Sequence, residues 1–164
     1  MADCQRNGAT HIHFVTHSLG GILVRSYLAR HTIPNLGRVV MLGPPNQGSE
    51  VVDQLGSWWL FRKLNGPTGN ELGTNKDSTP NQLGPANFCV GIIAGDRLIN
   101  WINSWLIPGR DDGKVSVERT QLAGMADQIV IASANPFLMR NPTAIQQTIH
   151  FLRTGQFEHG LKPR

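Results

Sequence analysis

The sequence predicts an α/β protein, a parallel sheet with flanking helices, and two observations carry that expectation. Short apolar runs rich in β-branched residues recur at 12–16, 38–42, 88–94 and 128–132, as suits strands buried on both faces of a parallel sheet. Helical patterns alternate with them, and strand-helix alternation is the signature of βαβ units. At 164 residues the chain fits one domain with a real core and is short for two.

The first helical pattern covers 19–31, where Leu19, Ile22, Leu23 and Tyr27 fall at helical spacing. The last begins where Asn141 can cap and Pro142 can start a helix. There Ile145, Ile149 and Leu152 are expected on one face and Gln146, His150 and Arg153 on another. Two stretches interrupt the rhythm. The first, about 50–87, is polar and rich in Gly, Asn and Pro, with an aromatic knot at Trp58, Trp59 and Phe61. The second, 97–117, carries Trp101, Trp105 and the loop Pro108-Gly-Arg-Asp-Asp-Gly. Long insertions in compact domains are usually functional or disordered.

The formal charge is +4, but Lys and Arg are scattered and form no basic face for nucleic acid. Cys4 and Cys89 are the two cysteines. Cys89 lies in an apolar run and is expected to pack as a small hydrophobe, so a disulfide framework is not indicated. No metal-ligand cluster, signal-peptide pattern or membrane-length apolar run is evident.

The most specific signal is His13-Phe-Val-Thr-His-Ser-Leu-Gly-Gly-Ile22. A strand ends at Thr16, a tight turn puts Ser18 at its apex, and a helix follows at once, which is the setting of a nucleophile elbow. Gly20 and Gly21 allow helix and strand to approach while the serine backbone is strained. The Leu19 N–H is placed to donate to an oxyanion, and the positive helix end lies beneath the developing charge.

These residues resemble the His-Ser-x-Gly-Gly elbow of bacterial lipases and esterases of the α/β-hydrolase fold. Thr16 stands where that motif usually has Gly, so a larger residue crowds the turn. Downstream, Leu42-Gly-Pro-Pro-Asn-Gln-Gly-Ser49 is similar to the Pro-x-x-Gly-Ser segment after the next strand. The resemblance implies a serine ester hydrolase that needs no cofactor, with a small-molecule ester or lipid as substrate. It makes the insertion at about 50–87 lid-like, with Trp58, Trp59 and Phe61 either covering an acyl site or pinning a long loop. Since such folds carry several strands and helices before the elbow, the chain reads as the C-terminal portion of the fold.

A serine nucleophile requires a base, and the base a carboxylate. Asp112-Gly-Lys-Val resembles the acid loop of similar esterases, so Asp112 is the expected acid, Asp96 the fallback and Asp111 its neighbour. The resemblance places the catalytic His before a Phe-x-Met-Arg-Asn run, where this chain has Asn135. An amide accepts no proton at neutral pH, so Asn135 cannot serve as general base. His11, His13, His17, His150 and His159 are poor substitutes; His17 points away from its neighbour, and His159 is expected in a frayed tail. Impaired ester hydrolysis is thus the leading expectation. Its rivals are a non-catalytic module binding acyl ligands or a protein, and an acyltransferase.

An elbow strand lacking a neighbour on one side exposes unpaired backbone groups, and self-association through that edge is expected. Sedimentation of the purified chain should show concentration-dependent association, whereas a monodisperse monomer would contradict it.

Overall fold

The computed structural model describes residues 4, 6–47, 82–97 and 113–160. Four parallel strands lie side by side in chain order: β1 (Ile12–His17), β2 (Leu36–Leu42), β3 (Val90–Arg97) and β4 (Asp127–Ala134). Three helices accompany them, α1 (Gly20–Leu28), α2 (Gly113–Thr120) and α3 (Pro142–Thr154), and a 3-10 helix covers Asn135–Arg140. Each apolar run forms a strand, so the α/β expectation is met at the level of the parallel sheet and its helices.

Alternation along β2 divides the core between two faces. Val39 and Met41 register with Val90 and Ile92, and pack with Leu122, Phe14 and the α1 residues Val24 and Leu28. Val40 and Leu42 face the other way, into Ile93, Ile131, Leu138 and the α3 residues Ala144 and Phe151. Burying each large apolar side chain contributes about 1.5–3 kcal/mol. A sheet with helices on both faces explains why Val39–Leu42 of β2 and Val90–Ala94 of β3 run without polar residues.

Helix α3 begins as its sequence predicts. Asn141 Oδ1 accepts from the N–H groups of Thr143 (2.9 Å) and Ala144 (3.2 Å), Pro142 is the first helical residue, and Gly155 closes the helix at φ +89°. Its faces differ from the expectation. Ala144, Gln147, Thr148 and Phe151 are buried, while Ile145 and Ile149 are each 46% exposed. The rotation follows from Phe151, whose ring occupies the space above Gly91 of β3; a Cβ there would stand 2.5 Å from the ring. Gln147 tolerates burial because its side chain donates to Glu158 O and accepts from Glu158 N, each at 2.9 Å.

Other expectations are corrected as well. Tyr27 is exposed and stacks on His31 at 4.2 Å, while Gly21, Ile22 and Arg25 supply the buried face of α1. Residues 113–120, β-branched at Val115 and Val117, form α2 where the sequence suggests loop. That helix lies against β3, and tertiary packing overrides a short β-favouring run. Cys89 is exposed, because it precedes the first residue of β3. Of the insertion expected to be lid-like at about 50–87, residues up to 81, with Trp58, Trp59 and Phe61, lie outside the described residues, as do Trp101, Trp105, Asp111 and Asp112. No described helix is long and apolar enough to cross a membrane.

Residues 155–160, which follow α3, are tied down and not frayed. Phe157 is buried against Phe151. Asp127, at the start of β4, accepts from Phe157 N (2.8 Å) and Gln128 N (2.7 Å) and pairs with His159 Nε2 at 2.9 Å. Burial alone would raise the carboxyl pKa, but the Phe157 N–H, the His159 ring and the Gln128 N–H outweigh it and hold it below its ordinary value. A depressed folded-state pKa gives stability that is complete above the unfolded pKa of about 3.9 and lost as pH falls through the folded value. Asp127→Asn should therefore lower the melting temperature at pH 7. The difference from wild type should vanish in acid, as thermal melts across pH would show.

Candidate active site

Between the last residue of β1 and the first of α1 stand only Ser18 and Leu19. Turning from a strand into a helix lying on the sheet within two residues forces an unusual backbone, and Ser18 adopts φ +52°. Among the described residues it is the one non-glycine with positive φ. For an L-residue that conformation costs roughly 1–2 kcal/mol, and such strain concentrates at functional positions. The Ser18 N–H donates to Leu42 O at 2.8 Å and its carbonyl accepts from Gly21 N at 3.1 Å, so the turn is fixed at both ends.

Both glycines of the motif sit at tight contacts. A Cβ at Gly21 would stand 3.1 Å from Pro44 Cβ and 3.2 Å from Met41 Sδ. One at Gly20 would stand 3.3 Å from Thr16 Cβ. The crowding expected from Thr16 is thus real and is absorbed by Gly20. Thr16 Oγ1 is buried with no hydrogen-bond partner among the described residues, a desolvation cost of about 1–3 kcal/mol.

Ser18 is half-buried and follows the carboxyl end of β1, the end of a parallel sheet where ligands bind. Leu19 is the N-cap of α1 at φ −57°, ψ −21°. An N–H at that position has no intrahelical acceptor, so it and the positive end of the helix face whatever lies above Ser18.

Two further named positions reach the same end of the sheet. Arg97, the last residue of β3, registers with Ala134, the last of β4, so Asp96 lies within the end of β3 and Asn135 follows the end of the adjacent β4; Asp96 is exposed, and Asn135 opens the 3-10 helix. β3 advances two residues from Gly95 to Arg97 while β4 advances three from Ile131 to Ala134. A bulge of this kind re-aims the chain leaving a strand. Beyond it Leu138 is buried, while Phe137 is 59% and Met139 48% exposed. Asp112 lies outside the described residues, immediately before α2.

Three of the histidines make contacts elsewhere in the fold. His13 Nδ1 accepts from Arg38 N at 2.8 Å, and its ring fills the space over Gly37. His31 bonds Tyr27 O, and His159 pairs with Asp127 at the amino end of β4, away from Ser18. Among the described residues no group of three or more His, Cys, Asp or Glu is placed to hold a metal ion.

Sequence reasoning missed a buried polar chain behind the elbow. Arg25, on α1, is buried and donates to Asn46 Oδ1 (3.1 Å), Asn46 O (3.3 Å) and Gly84 O (2.9 Å). Asn46 Nδ2 donates to Thr120 O at 2.7 Å. Burial pushes the guanidinium pKa down to about 10, and it remains charged at neutral pH. The signal was present: Arg25 lies three residues after Ile22 and four after Gly21, on the helix face that must meet the sheet.

No protein-family model matches the chain, and no curated protein is significantly similar to it.

Strain at Ser18 predicts an order of stabilities. Ser18→Gly relieves the left-handed backbone and Ser18→Ala does not, so the glycine variant should be the more stable by about 1 kcal/mol. Chemical denaturation of the pair measures it; an alanine variant as stable as the glycine one would mean that no strain is stored.

Proposed function

We propose that the chain is a serine ester hydrolase of α/β-hydrolase type whose general-base position holds Asn135. The observation that carries the reading is the left-handed Ser18 at the apex of a two-residue turn from parallel strand to helix. A plain strand-turn-helix would relax there with glycine; retaining a strained serine is accounted for by a hydroxyl held out above the sheet.

In the reaction Ser18 Oγ attacks the acyl carbon of an ester, and the Leu19 N–H stabilises the tetrahedral oxyanion. Such a donor contributes about 2.7–4 kcal/mol to lowering the barrier. The Ser18 proton must pass to a base, which a carboxylate, Asp112 or Asp96, would orient. Asn135 cannot take that proton, so this step limits turnover. The same amide favours a second reading, a non-catalytic module that binds acyl ligands. Fluorophosphonate labelling of Ser18 in an Asn135→His background separates the two, since a binder takes up fatty acid and stays unlabelled even with the histidine in place.

Asn135→His should raise p-nitrophenyl ester hydrolysis by about 10²-fold or more, and Ser18→Ala in that background should abolish the gain. Unchanged turnover on introducing the histidine would overturn the assignment of position 135.

A further inference from the structure

Helix α1 is clamped along its first two turns by one short segment of chain. Gly21 receives Pro44, and Arg25, four residues on and so on the same face, grips Asn46 through both its side chain and its carbonyl. That segment begins at Leu42, whose carbonyl takes the Ser18 N–H, and continues through Gly43, whose N–H donates to Ile93 O at 2.8 Å. Asn46 also donates to Thr120 O, a carbonyl in the last turn of α2 that the helix itself leaves unpaired. Gln47 N bonds Arg119 O at 3.1 Å beside it.

We propose that Arg25 and Asn46, anchored on Thr120, are positioning residues that hold the chain leaving β2 against α1 and so keep Ser18 in its left-handed turn. The proposal rests on the reading of Ser18 as nucleophile. A buried guanidinium costs several kcal/mol in desolvation, and an apolar side chain packed on the sheet would often serve stability as well. A forked donor supplies what such a side chain lacks, a fixed direction toward two oxygens of one residue and a third at Gly84. The path from Arg25 to Ser18 is short: guanidinium, Asn46, three residues of backbone, Leu42 O, Ser18 N–H.

The test replaces the hydroxyl with a titratable probe that needs no base. In a Cys4→Ser, Cys89→Ser background, Ser18→Cys places a thiol at the apex, and iodoacetamide rates across pH give its pKa. Beside the α1 N-terminus that value should fall below the ordinary thiol value of about 8.5. Adding Asn46→Ala should return it upward by about half a unit or more. Asn46→Asp, of equal volume, keeps the Arg25 acceptor but loses the N–H that Thr120 receives, and carries the test should the alanine variant not fold. Gln47→Ala, on an exposed side chain, should leave the titration unchanged. An unaltered pKa in folded Asn46 variants overturns the proposal. An ordinary pKa in the parent would instead remove the elbow reading. The positioning role is then decided by amide exchange at position 18: at least tenfold acceleration in Asn46→Asp, with α3 amides unaffected, upholds it, and unchanged exchange overturns it.

Discussion

A strand that must become a helix on one face of its own sheet has few ways to turn, and this chain allows two residues for it. The hydrogen bond from Ser18 to Leu42 O sets the height of the turn relative to β2, and the first helical residues must then pass within contact of strand and loop. Positive φ at Ser18, bare backbone at Gly20 and Gly21, and the seating of Pro44 are consequences of that one geometric demand. The position of α1, and with it one half of the core, follows from the same turn.

Where a local signal and a tertiary demand coincide, the sequence was readable. The two inner strands announced themselves because burial on both faces leaves little polar phase, and the start of α3 did so because an Asn-Pro pair has a specific backbone meaning. The tight strand-to-helix turn at Ser18 was legible for the same reason, since glycines two and three residues after a serine restrict what can surround it. Residues 113–120 were not legible: two valines flanking a serine suit a strand, and only contact with β3 decides for helix. The face of α3 was misassigned because isoleucine outranks glutamine in any hydropathy pattern. Gln147 is buried nonetheless, since both ends of its amide are matched by Glu158.

At the candidate site, type of residue and place in the chain were readable, and mutual geometry was not. Ser18 stands in the turn after β1 and Leu19 at the N-cap of α1, and Asp96 and Asn135 reach the same sheet end because parallel strands run to one side. The polar chain through Arg25 and Asn46 spans |i−j| = 21 and then 74 to Thr120. No local pattern reveals partners so far apart, and composition counts all three residues as surface types. Buried polar groups of this kind impose direction where apolar contacts impose only proximity.

The contact between Thr16 and Gly20 has a consequence for how this motif varies. One methyl-sized volume lies between the strand end and the first turn of the helix, and here threonine holds it while position 20 stays bare. Nothing in the packing dictates which side owns that volume. A sequence with glycine at 16 has room for alanine at 20, whereas alanine at 20 opposite threonine at 16 would stand 3.3 Å from its Cβ, so that one of the two must shift. The two sites form an exchange pair, each silent only in the presence of the other, and apparent departures from an elbow pattern should be judged by their sum.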